Sequence, residues 1–144
     1  MQLTVHLVTS LVLGIILYPF VGLYSLWVFV GGFLIDFDHY VYSIFRFRSW
    51  SLQLAYDFHN DRHLTEYERD ILHLFHTLEF WVFMVVAAFV CYFLDWTFLF
   101  WMFALTFAGM VLHLFLDFFS LIKGGRVDAR AISLVGWLRR RNLL

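Results

Sequence analysis

One cysteine, one proline and eight glycines occur in 144 residues. The single Cys91 excludes an internal disulfide and any zinc finger built on cysteines. With so little proline and glycine, no Pro-, Gly- or Ser-rich linker divides the chain, so the sequence predicts one domain, 1–144. No internal repeat or low-complexity tract occurs. Charged residues make up only 15%, and the formal net charge is −1, which gives the chain no basic bias toward nucleic acid. The N-terminus lacks a basic n-region and an A-x-A cleavage pattern, so its apolar stretch is expected to be retained. The H-E-x-x-H motif of zinc proteases, the G-x-S-x-G nucleophile elbow and the multiple histidine boxes of membrane desaturases are all missing.

Apolar side chains dominate instead. Hydrophobic residues are 62% of the chain, aromatic residues 22%, and mean hydropathy is +0.78. A soluble domain of this size has too little interior for that load, whereas an integral membrane protein turns it toward lipid. Leu3 to Ile35 carries no Lys, Arg, Asp or Glu. As one helix it would run about 50 Å against a hydrocarbon core of about 30 Å. Pro19 in its middle, followed by Gly22, predicts a hairpin with arms at about 3–18 and 21–35. Further spans are expected at about 71–94, stopped by Asp95, and 96–122, stopped by Lys123. The fold class is thus all-α: an integral membrane four-helix bundle, an N-terminal hairpin plus two longer spans, with short interfacial helices.

Charge orients this bundle. Of ten Lys and Arg residues, four lie between the second and third spans and six follow the fourth. The positive-inside rule then puts both basic regions, and both termini, on the cytoplasmic side of the cell (inner) membrane. Segment 40–70 is expected to form short helices over the cytoplasmic mouth. The tail 129–144 places Ile132, Val135 and Leu138 three apart, with Trp137 and Arg139, Arg140 and Arg141 suited to a headgroup layer of membrane lipids.

With four spans, histidine and carboxylate gather at one end of every span. His6 begins the first; Asp36, Asp38 and His39 end the second; His76 and Glu79 begin the third; His113 and Asp117 lie near the end of the fourth. The pairs His113/Asp117 and His76/Glu79 have helical spacing that puts both members on one face, and His73 extends the second row. Asp36 and His39 share a face if the helix continues. Imidazole nitrogen and carboxylate oxygen are ligands that zinc, manganese and iron accept, and inward Glu and His on facing helices hold two-metal sites in bundles. A lone ionised carboxylate within a span costs several kcal/mol, yet no Lys or Arg lies in any span. Bound divalent cations supply the missing charge; protonated carboxyls, or Arg46 and Arg126 near the interface, are the alternatives. Taken singly, each residue has a plainer reading. A span histidine is usually a hydrogen-bonded packing residue, and an Asp at a span end usually points to water. Asp95 reads as a loop residue, and His59 and His63 as surface or lid residues. Ala104 and Ala108 with Gly109 read as a close-packing face.

In order and spacing, His6, "LIDFDH" at 34–39, "HLFHTLE" at 73–79 and "HLFLD" at 113–117 resemble the membrane-bound metal-dependent hydrolase family. That family has an early His, an "LPDxDH"-like end to its second span, a His-rich start to the third and an H-x-x-x-D in the last. Ile35 replaces the proline of "LPD", and "HLFHTLE" lacks the Arg, Gly and final Ser of the family's "HRGxTHS"-like motif. The clustered His and carboxylate also look distantly similar to the helical sites of zinc-dependent phospholipase C.

The expectation is a hydrolase with His6, Asp36, His39, His76, Glu79, His113 and Asp117 as ligands of one or two divalent metals, with zinc foremost. Asp38 is a ligand, a bridge or the catalytic general base. The substrate would be an amphipathic or lipid-linked ester or phosphoester. A metal ion transporter, a haem-binding span pair and a non-catalytic metal-binding subunit are the alternatives. The carboxylates argue against haem, which needs no acidic ligands.

Overall fold

The computed structural model describes residues 3–60, 71–124 and 132–142. Seven helices make up the described chain: α1 (Leu3–Val21), α2 (Leu26–Gly32), α3 (Phe37–Phe47), α4 (Leu52–Asn60), α5 (Leu78–Phe93), α6 (Thr97–Gly124) and α7 (Leu134–Asn142). Short 3-10 turns at Gly22–Ser25, Leu34–Asp36 and Leu74–His76 join them. The all-α expectation holds. Two helical stretches are long and apolar enough to cross a membrane, Leu3–Phe47 and Thr97–Phe119, and Leu78–Phe93 is a shorter apolar helix. Their outer faces carry large apolar side chains, with Ile15 71%, Phe20 80% and Phe93 76% exposed.

The N-terminal hairpin forms, but its bend is not where the proline suggests. Helix α1 runs through Pro19 and ends at Val21. The reversal falls on Gly22, at φ +58°, a left-handed backbone that costs glycine little and other residues more. Proline near a helix end forfeits one backbone hydrogen bond without stopping the helix. The returning arm packs antiparallel on α1, with Gly32 against Ser10 and Gly14 against Ser25. It is a 3-10 turn, a seven-residue α2 and a second 3-10 turn rather than one helix.

Helix α6 runs parallel to this arm and touches it backbone to backbone. A Cβ on Gly31 would collide with the Thr106 carbonyl, and one on Gly109 would collide with the Val28 carbonyl and lie 2.7 Å from the Gly32 nitrogen. The small-residue face expected around Ala104 and Ala108 thus acts through Gly109. Helices α5 and α6 form a second antiparallel pair, closed by a turn at Asp95 (φ +55°) and packed through Trp81 on Phe107 and Phe83 on Phe103. Ile35, Met84 and Met110 form the apolar core between the pairs.

The third apolar stretch also differs from expectation. Helix α5 starts only at Leu78, because Thr77 is extended and its hydroxyl accepts the Phe80 N–H as an N-cap. Residues 71–77 are therefore not a continuation of α5. At the same end of the molecule, α4 lies on α3, with Phe58 against Tyr42 and Phe47. The tail's predicted amphipathic segment is helical as α7, and its Ile132, Val135 and Leu138 are exposed. His63 lies outside the described residues.

Candidate metal centre

The parallel contact of α2 with α6 sets the site. Gly32 is the last residue of α2, and its carbonyl accepts the Nδ1–H of His113 at 3.0 Å. With Nδ1–H donating there, Nε2 is the ring nitrogen turned toward the neighbouring side chains. Asp117, one turn on, places Oδ2 3.4 Å from that nitrogen, as the four-residue spacing predicts. The 3-10 turn after α2 delivers Asp36, whose Oδ1 lies 3.3 Å from His113 Nε2. The irregular segment before α5 delivers His76, with Nε2 3.3 Å from His113 Nε2 and 3.8 Å from Asp36 Oδ1.

These four residues can hold a metal ion. One ligand atom from each of Asp36, His76, His113 and Asp117 falls within 4.8 Å of all the others. Tetrahedral ligation with bonds of about 2.0–2.1 Å puts ligand atoms about 3.3 Å apart. The separations of 3.3, 3.3 and 3.4 Å around His113 match that edge. The donor set also fits a cation for an electrostatic reason. Asp36 Oδ1 has imidazole nitrogens of His113, His39 and His76 at 3.3, 3.4 and 3.8 Å. Neither oxygen of Asp36 makes a hydrogen bond among the described residues, although the residue is buried. A buried carboxylate in that condition is costly, and a coordinated cation removes the cost.

Asp38, His39 and His73 form a second group with ligand atoms within 4.8 Å of one another. His39 Nδ1 lies 2.9 Å from Asp38 Oδ1, and His73 Nδ1 lies 3.9 Å from the same oxygen. The two imidazoles stack at 3.7 Å. Helix α3 begins at Phe37, so Asp36 and His39 do share a face, and Asp36 Oδ1 stands between the two groups. Asp38 also joins them: its Oδ2 accepts the Phe75 N–H at 3.0 Å and lies 3.3 Å from His76 Nδ1. That bond orients His76 so that Nε2 faces the first group. Asp38 thus contacts His76 and the Phe75 N–H on one oxygen and belongs to the second group through the other.

Two sequence expectations need correction. Glu79 is not brought to either group. Its carboxylate accepts from Ser133 Oγ at 2.6 Å and from the backbone N–H groups of Leu134 and Val135 at 2.9 and 3.1 Å, capping α7. The cause is the break at Thr77: His76 and Glu79 share a face only if one helix carries both, and α5 carries only Glu79. His6 reaches the site but stands one shell out. Its Nε2–H donates to Asp117 Oδ1 at 3.1 Å, and its ring stacks on His113 at 4.1 Å. Conversely, His73 is a full member of the second group. Its place in the sequence row was visible; its position outside a helix was not.

No family model, curated protein or solved structure matches this chain.

Proposed function

We propose that this chain is an integral membrane four-helix protein whose cytoplasmic end holds a metal-dependent hydrolase site. Helices α1, α5, α6 and the arm Gly22–Asp36 are the four crossings, and the positive-inside rule puts both termini in the cytoplasm. The observation that carries the reading is the set of two imidazole nitrogens and two carboxylate oxygens within 4.8 Å of one another, three of them 3.3–3.4 Å from His113 Nε2. Asp36, His76, His113 and Asp117 would hold one ion, zinc being the best match to nitrogen and oxygen donors at this spacing. Asp38, His39 and His73 would hold a second, with Asp36 between them.

Divalent ions in this place supply Lewis acidity and an acidified water for attack on a phosphoryl or acyl centre. The chain's own contribution is orientation. The Gly32 carbonyl holds His113, Asp38 holds His76, and His6 holds Asp117. The resemblance to membrane-bound metal-dependent hydrolases supports hydrolysis over transport. So does the one-sided position of the polar groups, since the other end of the helix pairs is lined by Tyr24, Trp27, Phe98 and Trp101. The substrate would be an amphipathic or lipid-linked ester or phosphoester.

Metal analysis of the purified chain tests the reading. The wild type should carry one to two zinc-like ions per chain, and Asp36→Ala and His113→Ala should lose them while keeping their helical content. Chelator-sensitive cleavage of fluorogenic phosphomonoester, phosphodiester or carboxylic ester probes should follow the metal. A wild type with no stoichiometric divalent ion rejects it.

A further inference from the structure

A cavity of about 340 Å³ opens on the surface of the molecule, between the start of α1, the joint of α2 with α3, and α4. That volume is within the range of about 300–1,000 Å³ usual for small-ligand sites. Leu3, Phe37, Leu52 and Ala55 line it, and at its inner wall stand Asp36 and His39. Its rim is apolar and outward-facing, with Phe37 57% and Leu52 70% exposed. The groove is therefore lined mainly by apolar side chains and reaches the carboxylate whose two oxygens make no hydrogen bond among the described residues.

We propose that this groove seats one acyl chain of a single-chain amphiphile from the membrane, with the amphiphile's polar head at Asp36 and His39. Three observations select that occupant over a peptide helix or a second copy of the chain. The groove is continuous with the polar groups, so whatever fills it presents one end to them. It is walled on one side by α4 and on the other by α1, which suits a linear chain. Its mouth lies among exposed apolar side chains, so a lipid reaches it without crossing water. The proposal rests on the hydrolase reading for what happens to the head; seating of the chain does not depend on it.

Photo-crosslinking tests it with a lysophosphatidylglycerol carrying a diazirine in mid-chain, added to the purified full chain in phosphatidylcholine nanodiscs. Adducts should concentrate on the peptides containing residues 33–37 and 52–56 and should be competed by excess unlabelled lysophosphatidylglycerol. Leu52→Trp and Ala55→Phe, which fill the groove from two sides, should each lower those adducts at least fivefold with metal content unchanged. His113→Ala, which does not line the groove, should lose metal yet keep the adducts, which separates failure of the metal reading from failure of this one. Adducts spread equally over the α5–α6 surface at Phe89 and Tyr92, uncompeted and insensitive to both variants, would overturn the proposal.

Discussion

The Nε2 atoms of His76 and His113 face each other at 3.3 Å. The other nitrogen of each ring points to an acceptor: His113 Nδ1 to the Gly32 carbonyl and His76 Nδ1 to Asp38. The Nε2 atoms of both rings are thus turned toward the same point. That convergence of two imidazole nitrogens is the arrangement a shared cation would use.

His6 should modulate the metal rather than hold it. Its contact is with Asp117 Oδ1, while Asp117 Oδ2 faces the ligand set. His6→Ala should weaken metal affinity by about 10- to 100-fold. Asp117→Ala should abolish stoichiometric binding. Competition with a chromophoric zinc chelator measures both, and equal losses would put His6 among the ligands.

Asp38→Asn keeps the shape of the side chain but removes its charge. His76 loses the carboxylate that orients it, and the second group loses a ligand. Metal stoichiometry should fall by one ion where the wild type holds two, and the affinity of the remaining ion should drop about 10- to 100-fold. A variant with unchanged metal content and lost hydrolysis would instead make Asp38 the general base.

Glu79→Gln should leave metal content untouched. Its effect is expected on α7, whose first backbone N–H groups it caps. Hydrogen exchange in residues 134–142 should speed up relative to α5 and α6, and a protease should cut sooner near Ser133. Loss of metal in this variant would return Glu79 to the site.

The glycine contact makes a contrast within one residue type. Gly31→Ala and Gly109→Ala force Cβ atoms into facing backbone, and overpacking of this kind costs about 1–3 kcal/mol or more. Gly14→Ala meets only the Ser25 carbonyl at 3.5 Å, an ordinary contact, and should be tolerated. Thermal unfolding in detergent should separate the first two from the third by several degrees, and the first two should also lose metal.

Most of the site was legible because its residues sit on regular helix or at its ends. His113 and Asp117 follow helical spacing and lie together; Asp36 and His39 do so because α3 begins at once after the turn. Glu79 misled because spacing carries meaning only inside one helix, and the Thr77 cap, a local preference of one hydroxyl, ends that helix between it and His76. The bend at Gly22 was missed for a similar reason. A proline marks where a helix is weakened, whereas a chain reversal needs a residue that accepts positive φ. The segment expected as one helix over 21–35 returns antiparallel to α1 but alternates α and 3-10 turns, which brings Gly32 against α6.

The ligands come from supports of two kinds. His113 and Asp117 ride on a long helix whose partner is locked to it through bare backbone, so their positions are settled as soon as those helices dock. His73 and His76 ride on seven residues outside any α-helix, held by a 3-10 turn, by the Phe75 N–H bond to Asp38 and by the burial of Ile71, His73 and Thr77. On the proposed metal reading, capture of an ion would draw together one support set by helix packing and one set by a short non-α-helical segment.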